Sequence, residues 1–299
     1  LLHILWQLSE KYSLSLCVAH LNHMQRGQES REDAEYTLRF ANKLSIPVIS
    51  EEIDVRAVKE GETKRLPLTD VARKIRYDFF KRVAKEFEAD KIAVGHHAND
   101  HVETMLINLI RGAGPEGLKG IAPTRKIDEG LLLIRPLTKV SSQQIHQYLS
   151  LHHLEFRVDS SNLKPIFLRN RIRLGLLPLL RNEYNPKIDN AFIQLSQLIG
   201  VDDDYINEAV NHALPQAIIE HKKKMTVLDV DRLLGLHPAI QTRVIRRAIA
   251  MIKDDTTGFN YQHIQGIRQL ITGVHPQTKL SLPFSISAQR EYNHLVIKE

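Results

Sequence analysis

Apolar positions along the first half of the chain alternate between two rhythms. Leu1, Ile4, Leu5 and Leu8 fall on one helical face, so the chain opens inside a helix with no capping residue before it. LSLCVAHL (14–21) then runs almost continuously apolar, as a strand buried on both faces does. ESREDAEYTLRFANKL (29–44) is amphipathic with acids in its first turn, where the helix dipole favours them. IPVISEEI (46–53) reads as a second strand. TDVARKIRYDFFKRVAKEFEAD (69–90) reads as a long helix capped by Thr69 or Asp70, and KIAVGHH (91–97) as a third strand. A helix follows from about Asn99, then an extended LLLIRPL (131–137) and a serine-capped helix at 141–152. Strands alternating with helices of this length predict an α/β fold: a parallel sheet with helices on both faces. Ligands in such sheets bind beyond the carboxyl ends of the strands. Three such ends are polar: AHLNHMQRG (19–27), EEIDV (51–55) and GHHAND (95–100).

The rhythm changes near residue 183. NEYNPKI (182–188) is a turn-rich break, which predicts one domain over 1–183 and a mainly helical second domain over 184–299. One or two helices are expected to about residue 224, ending in HKKKM. A short strand TVLDV, a helix pair and a small antiparallel β element at the end complete it.

Composition narrows this picture. The 299 residues are 42% hydrophobic and 25% charged, an ordinary globular balance. No apolar run reaches the roughly 18 residues of a membrane span, and no signal peptide is evident. A single cysteine, Cys17, rules out an intramolecular disulfide and a Cys-rich zinc module; it fits a cytoplasmic chain and reads as a buried inert thiol. The net charge of +6 favours a polyanionic partner.

The densest chemistry lies in GHHANDHVETMLINLIRGAGPEGLKGI (95–121). Asp100 as N-cap with Glu103 at N3 would form a capping box. That leaves Gly95, His96 and His97, at the end of a buried strand, unexplained. Helical spacing also allows metal ligation by His96, Asp100 and Glu103, or by His97 and His101, but there is no HExxH. A Mg²⁺ shared between Asp100 and nucleotide phosphates needs only a carboxylate or two. Four glycines between Arg111 and Ile121, with Arg111 and Lys119, suit either a loop touching phosphate or nucleic acid or a plain helix C-cap. Arg73 and Arg76 lie on one helix. Arg169, Arg171 and Arg173 alternate before an apolar turn, a pattern suited to phosphate. Lys222 and Lys223 are either RNA-backbone contacts or plain surface.

HLNHMQRG, ARKIRYDFF, the 95–121 block, IRPL and DSSN…FLRNRIRLGLLPLL occur in that order. Together they resemble the tRNA(Ile)-lysidine synthetase family, a branch of the PP-loop ATP pyrophosphatases, strongly over residues 1–185 and more loosely beyond. The resemblance implies a PP-loop, adenine nucleotide α-hydrolase-like fold, ATP and Mg²⁺ as cofactors, and free L-lysine and an isoleucine tRNA with a CAU anticodon as partners. With no apolar run of spanning length, no membrane partner is expected, and a homodimer is left open. The resemblance also implies adenylation of the wobble cytidine and attack by lysine. It places Asp100, His96, Arg169 and Arg171 in catalysis, and Asp100 and Glu103 on the lysine. Ala19, His20, Asn22, Arg73, Arg76 and Gly95 fall on ATP, and Arg111, Lys119, Arg173, Lys222 and Lys223 on tRNA, with Asp100 on the metal. The family's SGGxDS loop is expected just before Leu1, so the polypeptide from Leu1 is expected to bind ATP poorly and be inactive. Asn99 stands where the family commonly has an acid. Rival readings are another PP-loop tRNA-modifying enzyme of thiolase type, and a non-catalytic RNA-binding relative.

Overall fold

The structure is a computed structural model that describes residues 1–61, 67–253, 256–273 and 279–299. It divides into two compact units, Leu1–Ser196 and Gln197–Glu299. The dividing point lies beyond the turn-rich break at 182–188, because the helix α10 (Ile188–Ala217) begins in the first unit and continues into the second.

The first unit carries α1 (Leu2–Tyr12), β1 (Val18–Asn22), α2 (Gln28–Lys43), β2 (Val48–Glu52), α3 (Val55–Gly61), α4 (Leu68–Glu86), β3 (Lys91–Ala93), α5 (Ala98–Ile110), α6 (Pro115–Leu118), β4 (Thr124–Asp128), β5 (Leu131–Ile134) and α7 (Ser142–Leu151). β1 pairs in parallel with β2, Val18 opposite Val48, and β3 pairs in parallel with β5, Lys91 opposite Leu132. The βαβ reading therefore stands. The two ladders are separate sheets, and an apolar cavity of about 380 Å³ is lined from both, by Val18 and Ala19 on one side and Ile92 and Ala93 on the other. β4 was not anticipated. It is an antiparallel edge strand of mostly exposed polar residues, folded back through a turn in which Gly130 takes φ +72°.

Helix starts follow local chemistry. Ser141 caps α7 by accepting from the Gln144 N–H at 3.2 Å, while the Gln144 side chain accepts from the Ser141 N–H at 2.9 Å. α4 starts earlier than expected. Pro67 is its N-cap residue, extended at φ −56° and ψ 144°, so Thr69 and Asp70 sit in the first turn rather than capping it. After α7 comes a 3₁₀ turn (Ser160–Leu163). A helical run then alternates α8 (Leu168–Arg171), a π turn (Ile172–Leu176), α9 (Leu177–Leu179) and a second π turn (Leu180–Tyr184). Ile172 and Leu177 from this run bury against Val102, Leu106 and Ile107 of α5.

The second unit is built on the rest of α10 and a five-stranded antiparallel sheet in the order β6 (Ile218–Lys222), β7 (Met225–Asp229), β10 (His294–Lys298), β9 (Ser287–Glu291), β8 (Lys279–Ser281). Helices α11 (Val230–Leu234), α12 (Pro238–Lys253) and α13 (Tyr261–Thr272) share its core, with Leu233, Ile245, Ile249 and Ile267 buried against Leu228 and Leu295 of the sheet. The HKKK run ends no helix. Lys222 closes β6 and Lys223 sits in the β6–β7 turn, which corrects the helical reading to residue 224.

Candidate active site

α5 begins where β3 has just ended, so its first turn meets the carboxyl end of the parallel strands. The capping box lies one turn earlier than the sequence suggested. His97 is the N-cap residue, and Asp100 sits at N3, accepting from the His97 N–H at 3.0 Å through Oδ2. Glu103 is thereby freed from capping. It is 1% exposed and Asp100 8%, and one guanidinium answers both. Arg173 donates to Glu103 Oε1 from Nε at 2.6 Å and to Oε2 from Nη2 at 2.9 Å; the same Nη2 reaches Asp100 Oδ1 at 3.0 Å. The hydrogen bonds to Glu103 hold the Arg173 charge more firmly than an isolated arginine's. Arg169 donates to Thr104 Oγ1 at 2.7 Å, with Nε 3.6 Å from Glu103. Arg171 is exposed. Arg173, expected on tRNA, is thus committed to the carboxylates. It sits in a π turn, a local widening common at functional sites.

His96 heads a second, cationic group. Arg135 Nε donates to His96 Nδ1 at 3.3 Å. An arginine only donates, so the neutral ring keeps its proton on Nε2. Burial pushes the His96 pKa down; Asp100 opposes this, while Arg135, Arg169 and Arg73 add to it. Arg135 is itself 7% exposed and donates to the Ala122 carbonyl at 2.5 Å. The guanidiniums of Arg73 and Arg125 lie 5.0 and 5.1 Å from the Tyr77 ring centre. Arg76 Nη2 bonds His23 Nε2 at 3.2 Å. Burial, then Arg76, then His20 push His23 down to about 4, and burial lowers His20 as well. Neutral histidines among several arginines form a donor-rich, positively charged surface suited to phosphate oxygens. His23, Tyr77, Arg125 and Arg135 were missed by sequence reasoning, although the quoted HLNHMQRG, RYDFF and IRPL blocks contain three of them.

Asn22 plays a narrower part than expected. It is buried, donates to Glu52 Oε1 at 2.9 Å and accepts from the Met24 N–H at 2.9 Å, so it shapes the turn after β1. Gly95 borders open space, and Ala19 lines the apolar cavity. Asn99 accepts from the Ser142 N–H at 2.8 Å, tying α5 to α7, and lines a separate cavity of about 570 Å³ with Lys139, Ser141 and Lys187. The glycine-rich stretch is no free loop. Asn108 donates to the Gly117 carbonyl at 2.7 Å, and His101 accepts from the Ile121 N–H at 3.1 Å while its Nε2 meets Ser196 Oγ at 2.8 Å. Both His101 nitrogens are thereby used, which disposes of a His97–His101 metal pair. Arg111 and Lys119 end α5 and α6. In the second unit, Lys222 pairs with Glu220 at 2.5 Å.

A Mg²⁺ held by Asp100 does not fit this arrangement. Both its oxygens already accept hydrogen bonds, and the neighbouring carboxylate, Glu103, is held by two bonds from Arg173, so no second oxygen ligand stands beside it. Among the described residues no group of three or more His, Cys, Asp or Glu could hold a metal. No helix among them is long and apolar enough to cross a membrane. Burial, with Glu86 adding to it, raises the Cys17 thiol pKa, in keeping with an inert thiol.

Residues 1–180 match the family model of a PP-loop domain, and the chain belongs to that family. Within it the similarity is to the tRNA(Ile)-lysidine synthases, and residues 228–296 match a TilS substrate binding domain. The chain is 32% identical over 297 residues to the tRNA(Ile)-lysidine synthase of Clostridioides difficile, covering 99% of this chain and 63% of the relative. It is 36% identical over 295 residues to that of Geobacter sulfurreducens, covering 99% and 61%. The chain thus spans about three fifths of the length of the curated relatives it matches. Among solved structures, the U34-tRNA thiolase NcsA from Methanococcus maripaludis aligns with a TM-score of 0.52 at 17% identity, covering 66% of this chain and 67% of that one, a likeness of fold alone.

Proposed function

We propose that this chain carries the catalytic part of a cytoplasmic tRNA(Ile)-lysidine synthase. The observation that carries the reading is the juxtaposition, at the start of α5, of two buried carboxylates with a cationic, donor-rich surface. ATP binds with its phosphates on the side of His96, Arg73 and Arg76. The O2 oxygen of the wobble cytidine attacks the α-phosphorus, an O–P bond forms, the α–β anhydride breaks and pyrophosphate leaves. Cations around His96 stabilise the negative charge that develops there. The side-chain amine of free lysine then attacks C2, the C2–O2 bond breaks and AMP leaves with that oxygen.

The carboxylates serve the second step. Glu103 holds Arg173 by two bonds and Asp100 by one. Asp100 is therefore the one an incoming ammonium can win from Arg173, and from there it helps take the proton that the amine must lose. The reading separates two activities of the full-length protein. Asp100→Asn retains tRNA-dependent release of pyrophosphate from ATP but loses lysine incorporation by about 100-fold or more. Unchanged incorporation in that variant removes Asp100 from this role.

A further inference from the structure

The loop before α8 presents apolar side chains to solvent in a fixed pose. Leu163 is 65% exposed, Ile166 70% and Phe167 54%. Flexibility does not account for this, because a buried amide holds the loop in place. Asn170, 6% exposed, donates from Nδ2 to the carbonyls of Ser161 and Lys164, both at 2.8 Å. Phe167 is the N-cap residue of α8, one turn before Arg171, and α8 is fastened to α5 through Arg169 and Thr104. The aromatic ring thus stands on the helix that leads directly to Arg173 and the two carboxylates. Between residues 163 and 173 there are four cations, Lys164, Arg169, Arg171 and Arg173, and no acid. Lys164 and Arg171 are exposed, and among the described residues neither is held in an ion pair, unlike Arg169 and Arg173.

An exposed aromatic ring flanked by cations is the arrangement that unpaired bases stack on, with phosphates taken by the charges. We propose that Phe167, with the exposed Ile166 and Leu163 of the same segment, is a stacking platform for an unpaired base of an RNA loop, and that Lys164 and Arg171 hold the adjoining phosphates. The inference rests on the RNA-modifying function proposed above and adds the residue that positions the loop. A base held there lies on the same short element as the reacting groups, whereas a base inside a duplex has no open face to offer.

The chain has one tryptophan, Trp6, so a background of Trp6→Phe makes Phe167→Trp a single reporter. Two probes are titrated: an RNA stem–loop with an unpaired loop, and a fully paired RNA duplex of equal charge. The anisotropy of a dye on each RNA reports binding independently of the tryptophan. Stacking predicts that the stem–loop quenches the tryptophan and the duplex does not. It also predicts that Phe167→Ala weakens stem–loop binding about tenfold, with duplex binding unchanged. If the stem–loop binds without quenching, or both RNAs quench alike, the platform is overturned while the RNA-modifying reading stands. If neither RNA binds, both are overturned. Should Phe167→Ala weaken both RNAs equally, Phe167 serves the fold and the assignment falls.

Discussion

Glu103 is almost wholly buried, and two short bonds from Arg173 balance its charge. Arg173→Met therefore leaves a buried carboxylate with its main partner gone. The variant loses about 1–3 kcal/mol in urea unfolding at neutral pH, at the low end of such losses because Arg173 is partly exposed. Adding Glu103→Leu recovers most of that, since removing both charges removes the desolvation debt; no recovery would mean Arg173 acts on the fold by another route. His23 gives the pH counterpart. Its folded pKa of about 4 lies below the ordinary 6.5, so protonation favours the unfolded chain. The stability it contributes is complete above 6.5 and is lost as pH falls from there towards 4. Urea midpoints measured across that window fall less steeply for His23→Gln than for the parent; equal slopes would place the acid sensitivity elsewhere.

Single positions act through the elements that hold them, and α5 with its following loop shows how. Gly120 has φ +67°, and a Cβ there would meet the His101 ring at 2.6 Å. Gly112 has φ +73° but nothing within 4 Å. Both alanine substitutions pay the backbone strain of about 1 kcal/mol. Gly120→Ala also dislodges the histidine that ties the loop to α5, so it costs more and speeds amide exchange in residues 112–121. Equal costs at both glycines would show that His101 does not secure the loop. The elements themselves were legible where one physical signal dominated: apolar continuity for β1, β2 and β3, acids at the start of α2, the serine box of α7. β4 escaped because an exposed edge strand such as TRKID carries no apolar rhythm. The cap of α5 was placed one turn late because His97, an uncommon N-cap, precedes an Asp–Glu pair with the spacing of a capping box. The chemistry of the site was visible as Asp100, Glu103, His96 and the arginines. Their pairing was not, because the contact between Arg173 and Glu103 spans 70 residues and is made by folding alone.

For the molecule as a whole, the PP-loop family match (residues 1–180) lies in the first unit, and the TilS substrate-binding match (residues 228–296) lies in the second. The net charge of +6 suits an RNA partner but names none. What distinguishes a lysidine synthase from the other readings is therefore its product. Full-length protein is incubated with ATP, Mg²⁺, labelled lysine and either an isoleucine tRNA with a CAU anticodon or the methionine elongator tRNA with the same anticodon. We expect ATP-dependent label on the isoleucine tRNA and little on the other; equal labelling of both, or label on neither, would contradict the assignment.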